Sequence, residues 1–170
     1  MTIPVIYRRR FIKVIFSNRA YNAVVSESAD KTTTETGGVF LGCHENGTWY
    51  IVETIESGPK AVYQEAYFEY DRQYVEHQIN KVAQKYQTEL TLIGIWHTHL
   101  GSFNEFTKTD DITNSEYAKL SDDGAVSILI NINPDFQITP YHVAWPLLYT
   151  KIEYTVGDEF FPERLLQLKK

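Results

Sequence analysis

Apolar and polar residues follow two different periods along the chain, one typical of strands and one typical of helices. The segment LTLIGIWHTH at 90–99 is an almost uninterrupted apolar run, which indicates a buried strand. The segment at 71–86 instead places its apolar residues at helical spacing behind an aspartate, and this predicts the clearest helix of the chain. Similar patterns predict a helix at 17–30, capped by Ser17, and a third helix near Thr109–Leu120.

Shorter β-branched and aromatic runs predict the remaining strands, with turn residues between them. Asn46-Gly47 is a strong hairpin signal, and Asn133-Pro134-Asp135 indicates a turn. The predicted strands lie near Phe11–Phe16 and at 39–43, 49–55, 65–70, 125–132, 138–145 and 148–156. This order of strands and helices favours an α/β (α+β) fold with helices against a single sheet. A length of 170 residues fits one domain spanning residues 1–170.

The composition narrows the functional classes. The net charge of −6 argues against a general nucleic-acid-binding surface, and no apolar stretch is long enough to span a membrane. One basic cluster, Arg8-Arg9-Arg10 with Lys13 and Arg19 nearby, is interpreted as a solvated face, with a patch for an acidic partner as the alternative. The lone Cys43 can form no internal disulfide, which favours a cytoplasmic location.

The histidine pair at the end of the apolar strand carries the strongest chemical signal. Side chains alternate across a strand, so His97 and His99 point to one face and Thr98 to the other. Two imidazoles on one face can hold one ion, and Asp110 or Asp111, at the predicted start of the third helix, can supply a third ligand. Two histidines and one carboxylate leave a tetrahedral Zn²⁺ with an open position, as in catalytic sites.

The spacing of these residues resembles the metal-binding motif of the JAMM (JAB1/MPN/Mov34) metallopeptidases, H-x-H-x7-S-x2-D with a glutamate far upstream. In this chain His97-Thr98-His99 is followed by seven residues, then Thr107, two further residues and Asp110. The segment ETGGVFLG, which begins at Glu35, is similar to the family's glutamate segment. The motif spacing favours the first of the two adjacent aspartates as the ligand. The resemblance covers most of the chain, from the first predicted strand to the strand at 138–145, and is closest to the compact prokaryotic JAB peptidases.

This resemblance implies a fold and a set of roles. The fold would be a mixed, curved sheet flanked by helices, the cytidine-deaminase-like JAB architecture. His97, His99 and Asp110 would bind one catalytic Zn²⁺. Glu35 would act as general base and then as general acid. Thr107 would take the place of the family's serine, which helps to stabilise the oxyanion.

The chain departs from the family pattern at three positions without losing a metal ligand. Thr98 stands where the family usually has serine, Leu100 where it often has proline, and Thr107 keeps the hydroxyl of the motif serine. The chain is therefore predicted to be an active metallopeptidase rather than a metal-free relative.

The resemblance also implies a substrate. It predicts a peptidase or isopeptidase that cleaves after the C-terminal tail of a ubiquitin-like protein, in a precursor or in its conjugates. Such an extended tail would add a strand to an exposed sheet edge. Similar compact proteins accompany E1-like and E2-like conjugation enzymes in bacteria, including antiphage systems. The alternatives are a peptidase for sulfur-carrier proteins, a non-catalytic MPN scaffold that binds partners, and a DNA-repair-associated protein, which the acidic charge disfavours.

Several of these residues also have simpler interpretations. Thr107 and Asp110 form the Thr-x-x-Asp pattern of a helix capping box, which is compatible with metal binding. Glu53, in a predicted strand, is a weaker candidate for the general base. Cys43 and His44 are neighbours in a strand, so they face opposite ways and do not form a thiol-protease pair.

Two further features complete the sequence-based interpretation. Trp96, which flanks His97, is predicted either to face the core with Thr98 or to shield the zinc ligands. Gly37-Gly38 is interpreted as a turn into a strand, because no phosphate-binding pattern follows it.

Overall fold

The computed structural model describes residues 12–170, which contain three helices and ten strands. The helices are α1 (Asn18–Asp30), α2 (Arg72–Ala83) and α3 (Lys108–Ala118). The strands are β1 (Lys13–Phe16), β2 (Gly37–Glu45), β3 (Thr48–Ile55), β4 (Val62–Gln64), β5 (Tyr67–Glu69), β6 (Thr91–His99), β7 (Ala125–Asn131), β8 (Gln137–Ala144), β9 (Leu148–Lys151) and β10 (Glu153–Val156). Short 3₁₀ turns follow at Asp158–Phe160 and Glu163–Leu165. None of the three helices is long and apolar enough to cross a membrane. The basic cluster Arg8–Arg10 lies outside the described residues.

Eight of the strands form one mixed sheet in the order β10-β1-β3-β2-β6-β7-β8-β9. β1 is parallel to β10 and β3, β6 is parallel to β7, and the other neighbouring pairs are antiparallel. The outermost strands, β9 and β10, are consecutive in the chain with only Ile152 between them, so the sheet curves until it nearly closes. This confirms the predicted α/β (α+β) fold class with a mixed, curved sheet, although β4 and β5 form a separate two-stranded sheet.

The prediction of one strand over 148–156 is wrong, because the chain changes partner within this segment. β9 pairs with β8, whereas β10 pairs with β1 at the other end of the sheet. Between them Ile152 is buried, and its N–H donates a hydrogen bond to the carbonyl oxygen of Pro140 at 3.0 Å. The alternating pattern of residues 148–156 gives no local signal for the change of partner, because that change results from the closure of the sheet.

The core consists of two apolar clusters. They are separate because successive side chains of a strand point to opposite faces of the sheet. In β1, Phe16 belongs to the first cluster and Ile15 to the second. α1 packs on the first cluster through Val24, whereas α2 and α3 reach the second through Val75 and Tyr117. The sheet is therefore flanked by helices, and α3 lies on the cluster that does not contain α1.

Trp96 belongs to the first cluster, which decides between its two predicted positions. The indole is 2% exposed and its Nε1–H donates a hydrogen bond to Thr54 Oγ1 at 2.9 Å. The backbone of β2 approaches β6 closely here, since a Cβ at Gly37 would lie 2.3 Å from the carbonyl oxygen of Trp96. This close approach supports the interpretation of Gly37-Gly38 as the entry to a strand.

The helix ends are defined by side-chain caps that the sequence indicated. Ser17 Oγ accepts a hydrogen bond from the N–H of Ala20 at 3.0 Å and caps α1. Asp71 caps α2 in the same way. The prediction placed the end of α2 at Tyr86, but the helix ends at Ala83, because Tyr86 leaves it to pair with the C-terminal segment.

The two hairpins differ in how clearly the sequence indicates them. The β2–β3 hairpin turns at Asn46 and Gly47, whose φ angles of 50° and 80° are those that the Asn-Gly signal predicts. The β4–β5 hairpin lies outside the main sheet, and only β5 was predicted, because three residues carry too little pattern to indicate β4. The N–H of Glu35 donates a hydrogen bond to the carbonyl oxygen of Gln64 at 2.7 Å, which places this hairpin beside the loop before β2.

Candidate metal centre and catalytic cleft

The end of β6 presents two histidine side chains on the same side of the sheet, as strand alternation requires. His97 and His99 are buried, with 10% and 6% of their side chains exposed, and their Nε2 atoms lie 3.2 Å apart. Thr98 points to the opposite side and is completely buried. Two neighbouring imidazole nitrogens therefore face a common point at the carboxyl end of the strand.

Asp110 completes a triangle of donor atoms with the two histidines. Its Oδ2 lies 3.3 Å from His97 Nε2 and 3.3 Å from His99 Nε2. A tetrahedral Zn²⁺ with bonds of about 2.0–2.1 Å needs ligand atoms about 3.3–3.4 Å apart. The three atoms form a group that could hold one metal ion, and their separations fit three corners of a zinc tetrahedron. Within residues 12–170 the group has three members, which would leave the fourth corner for a non-protein ligand.

A capping box fixes the position of Asp110 at the start of α3. The N–H of Thr107 donates to Asp110 Oδ2 at 2.9 Å, and the N–H of Asp110 donates to Thr107 Oγ1 at 3.2 Å. The predicted capping box is therefore present, and it uses the same carboxylate oxygen that faces the histidines. The first turn of the helix thus contains the residue whose carboxylate faces the histidines, so the capping hydrogen bonds are compatible with metal binding by Asp110.

Electrostatics keep the carboxyl group of Asp110 ionised. Burial would raise its pKa, but hydrogen bonds with His97 and His99, together with the one from the backbone of Thr107, hold that pKa well below its usual range. A carboxylate that stays deprotonated, next to imidazole nitrogens, is a suitable ligand set for Zn²⁺.

Asp111 does not take part in this cluster. Its Oδ1 accepts a hydrogen bond from the hydroxyl of Tyr149 at 2.5 Å, and that hydroxyl in turn accepts one from Asn114 Nδ2 at 2.9 Å. Strand and helix patterns alone leave the choice between the two adjacent aspartates open, but in the structure Asp110 is the one that directs a carboxylate oxygen at the histidines.

The ring of His99 is oriented by a backbone carbonyl. Its Nδ1 lies 3.0 Å from the carbonyl oxygen of Phe103, which can only accept, so Nδ1 carries the proton and Nε2 presents its lone pair to the cluster. Burial lowers the pKa of His99, but its hydrogen bonds to Asp110 and Phe103 raise that pKa overall above the ordinary value. A proton therefore competes for the position that a metal ion would occupy.

Glu35 lies beside the triangle without belonging to it. Its Oε1 is 3.9 Å from His99 Nε2, and 12% of its side chain is exposed. Burial raises the pKa of this carboxyl group, while His97 and His99 oppose the shift. A carboxyl group with a raised pKa, next to a group that could hold a metal ion, is suited to accept a proton and return it.

Thr98 ties the Glu35 loop to the histidine strand. The N–H of Thr36 donates to Thr98 Oγ1 at 2.9 Å, and the N–H of Thr98 donates to the carbonyl oxygen of Thr36 at 2.8 Å. Thr98, which stands where the family usually has serine, thus keeps a hydroxyl group that accepts a hydrogen bond. Its methyl group lies in a fully buried position. Sequence reasoning did not assign this function to it.

A cleft of about 200 Å³ opens beside the cluster. It lies between the β4–β5 hairpin, the first turns of α3 and the end of β6. Its walls are formed by Glu35, Ala66, Tyr67, Phe68, Ile95, His97, Thr107, Thr109, Asp110, Thr113 and Asn114. The hairpin wall was not identified from the sequence, where the only signal was the short aromatic run around Tyr67.

The weaker alternatives lie elsewhere and have their own partners. Glu53 forms an ion pair with Arg19 at 2.9 Å and a hydrogen bond with Tyr86, away from the cleft. Cys43 Sγ approaches the carbonyl oxygen of Glu89, whereas the adjacent His44 pairs with Asp123, so the two neighbours diverge as predicted.

Comparisons with known proteins identify the family of the chain and its fold. The model of the family described as prokaryotic homologs of the JAB domain matches residues 17–146. The chain is also similar in fold to the solution structure of protein DSY2949 from Desulfitobacterium hafniense, with a TM-score of 0.63 and 8% sequence identity, over 84% of this chain and 92% of that one. No curated protein matches the chain. The matched range contains the loop before β2 and the whole segment from β6 to α3.

Proposed function

The chain belongs to the family of prokaryotic homologs of the JAB domain, and from this premise we propose that it is a zinc-dependent peptidase or isopeptidase that cleaves after the C-terminal tail of a ubiquitin-like modifier. One observation carries the proposal: His97 Nε2, His99 Nε2 and Asp110 Oδ2 lie 3.2–3.3 Å apart, with Glu35 beside them. This combination offers three metal ligands, an open corner and a proton acceptor.

Each residue of the cluster has a defined part in hydrolysis. His97, His99 and Asp110 would hold the ion, and Zn²⁺ bound there would supply Lewis-acid polarisation and a water of lowered pKa. Glu35 accepts a proton from the attacking water, whose oxygen bonds to the scissile carbonyl carbon. As the C–N bond breaks, Glu35 returns that proton to the leaving nitrogen. No other co-reactant is needed.

Thr107 is the candidate for oxyanion stabilisation. Its Oγ1 accepts the N–H of Asp110, so the hydroxyl proton is free to donate to the oxygen that becomes negative during attack. This is compatible with its place in the wall of the cleft. The threonine therefore retains the hydrogen-bonding capacity of the motif serine.

The β4–β5 hairpin supports an extended substrate. β5 pairs only with β4 among the strands within residues 12–170, so its other edge is available for an added strand. Tyr67 and Phe68 of this strand also line the cleft. Because Glu35, His97 and Asp110 line the same cleft, a tail that pairs with β5 would lie close to them, which fits the C-terminal tail of a ubiquitin-like protein or of its conjugates. A bacterial E1/E2-like conjugation or antiphage system, in the cytoplasm, is the setting that the family resemblance favours.

The proposal is tested with fusions in which a ubiquitin-like protein carries a peptide after its C-terminal tail. We expect wild-type protein with about one zinc per chain to cleave the fusion at the end of the tail. Chelated protein and the Glu35→Gln variant should be inactive, whereas Glu56→Gln, at an exposed carboxylate outside the cleft, should retain activity.

Two results would contradict the proposal. Equal cleavage by wild type, chelated protein and Glu35→Gln would exclude the zinc mechanism. Zinc-loaded wild type that cleaves neither ubiquitin-like fusions nor sulfur-carrier fusions would favour a non-catalytic scaffold, and cleavage confined to sulfur-carrier fusions would reassign the substrate.

A further inference from the structure

Asn131 lies at the end of β7, directly opposite His99 in the parallel register with β6. Its side chain is almost completely buried, with the residue 2% exposed. The amide nitrogen Nδ2 donates two hydrogen bonds, to the carbonyl oxygen of Gly101 at 2.9 Å and to that of Phe103 at 2.8 Å. One buried amide therefore holds two carbonyl groups of the loop that follows the histidine strand.

The second of these carbonyl groups is the one that orients a metal ligand. The oxygen of Phe103 accepts a hydrogen bond from His99 Nδ1 at 3.0 Å as well as the one from Asn131 Nδ2. A carbonyl oxygen has two lone pairs, so both hydrogen bonds can form at once. The loop itself is exposed, and Phe103 is 55% exposed, so this buried amide is a fixed point for an otherwise solvated segment.

We propose that Asn131 is a positioning residue for the metal centre, acting on His99 through the carbonyl group of Phe103. This inference rests on the proposed metal site. By fixing the Phe103 oxygen, Asn131 sets the rotation of the imidazole ring and keeps His99 Nε2 directed at Asp110 Oδ2. Outer partners of this kind tune metal affinity because they determine the direction of the ligand's lone pair.

The side chain of Asn131 is suited to this function by its two donors rather than by its acceptor. Its Oδ1 is buried and accepts no hydrogen bond from another group within residues 12–170. Burying an acceptor without a protein partner is costly, so the residue type is explained by the two N–H groups. Aspartate has the same shape but would face both carbonyl groups with an acceptor.

The chain offers a matched control in Asn133. Its Nδ2 donates a hydrogen bond to the same loop at 3.1 Å, but to the carbonyl oxygen of Leu100 rather than to that of Phe103. A substitution at Asn133 therefore tests whether loop attachment in general, or the link to His99 in particular, determines metal binding.

The experiment compares wild type, Asn131→Ala, Asn131→Asp and Asn133→Ala, each checked for native circular dichroism. Zinc affinity is measured by competition with a chelator, and the ligand geometry by the visible absorption of Co²⁺-loaded protein. We expect both Asn131 variants to bind zinc about 10–100-fold more weakly and to change the Co²⁺ spectrum. Asn133→Ala should match wild type in both measurements.

Three results would overturn the inference. They are wild-type zinc affinity in a folded Asn131 variant, an unchanged Co²⁺ spectrum in that variant, or an equal loss in Asn133→Ala. If neither Asn131 variant folds, NMR of wild type decides: the Asn131 side-chain protons must exchange slowly with solvent and shift together with His99 Nδ1–H when zinc is added. Fast exchange or an unchanged shift would overturn it. Failure of wild type to bind zinc would instead refute the proposed metal site itself.

Discussion

Two regions of this protein each bring two histidines and an aspartate together, and they lie at opposite ends of β7: Asn131 at its carboxyl end pairs with His99, whereas Asp123 precedes its first residue. At the first, the side chains of His97, His99 and Asp110 are between 6% and 17% exposed, and their donor atoms converge within 3.3 Å. The second, which we name the distal cluster, contains His44, His142 and Asp123 with Trp49. Residue type is the same in both regions, so geometry and burial must account for any difference in chemistry.

In the distal cluster the polar atoms do not point at one common position. His44 Nδ1 lies 3.2 Å from the carboxylate of Asp123, whereas His142 Nε2 contacts the backbone oxygen of the same residue at 2.6 Å. The ring of Trp49 stacks on His44 at 4.2 Å and lies 5.8 Å from the ring of His142. The carboxylate is 65% exposed. Two histidines and an aspartate are thus insufficient for a metal site unless their lone pairs meet at one buried point.

The largest expected difference between the two regions is in metal binding. His97→Ala removes one of three ligands and should abolish both stoichiometric zinc and cleavage of the fusion, because two ligands cannot complete the site. His142→Ala should leave both unchanged. Elemental analysis together with the fusion assay measures this, and an equal loss of zinc in the two variants would remove the distinction between the regions.

Acidification should weaken zinc binding at the metal centre. The pKa of His99 is higher in the folded protein than in the unfolded chain, where it is about 6.5. The proton on His99 therefore stabilises the fold fully when the pH is below about 6.5. This stabilisation is lost as the pH rises through the raised pKa. Zinc must displace the same proton. Its affinity should therefore fall by roughly tenfold per pH unit below the pKa of His99. Zinc titrations between about pH 6 and pH 8 test this, and a pH-independent affinity would contradict it.

A smaller effect is expected when the hydrogen bond between Thr98 of β6 and the loop that contains Glu35 is removed. In the described part of the chain, the distal cluster has no corresponding hydrogen bond. Thr98→Val leaves the buried N–H of Thr36 without its acceptor, at a cost of about 1–3 kcal/mol in the free energy of unfolding. Because the side chain faces away from the histidines, zinc binding should persist while cleavage decreases. Thr98→Ser should restore both activity and stability, as measured by denaturant unfolding and the fusion assay. Loss of zinc in Thr98→Val would show that the residue acts on the ligands instead.

The smallest effect is expected at the aspartate next to the ligand. Asp111→Asn keeps an oxygen for the hydroxyl of Tyr149 and removes no metal ligand, so zinc affinity should change by less than about tenfold. Asp110→Asn is the matched comparison and should prevent stoichiometric binding. If the two variants lose zinc equally, the assignment of Asp110 as the ligand is wrong.

The local part of the candidate site could be predicted because it depends on the backbone period alone. Side chains alternate along any strand, which puts His97 and His99 on one side whatever the rest of the chain does. The Thr-x-x-Asp pattern likewise fixes the start of α3 through hydrogen bonds between residues three apart. The motif spacing then favoured Asp110 over Asp111, and in the structure the carboxylate of Asp110 lies next to the two histidines.

Long-range features required strand register. The family resemblance predicted Glu35 at the site. Its position beside the histidines depends on the antiparallel pairing of β2 with β6, which sets Gly37 opposite His97, and no local pattern encodes that pairing. Asn131 meets the loop after β6 only through the parallel register of β6 and β7. The contact of Asn131 was not predicted, and neither was the division of 148–156 into β9 and β10, which follows from closure of the sheet.

The sequence by itself therefore determined that His97 and His99 share one face and that a helix starts just before Asp110, because these features depend on contacts between residues near one another in the chain. Only the tertiary structure decided that the three donor atoms lie within 3.3 Å of one another and that Glu35 lies beside them. It also decided that the two histidines of the distal cluster do not point at one position. The reason is physical: convergence of side chains on one point is a property of strand pairing and sheet curvature, which are set by packing of the whole chain.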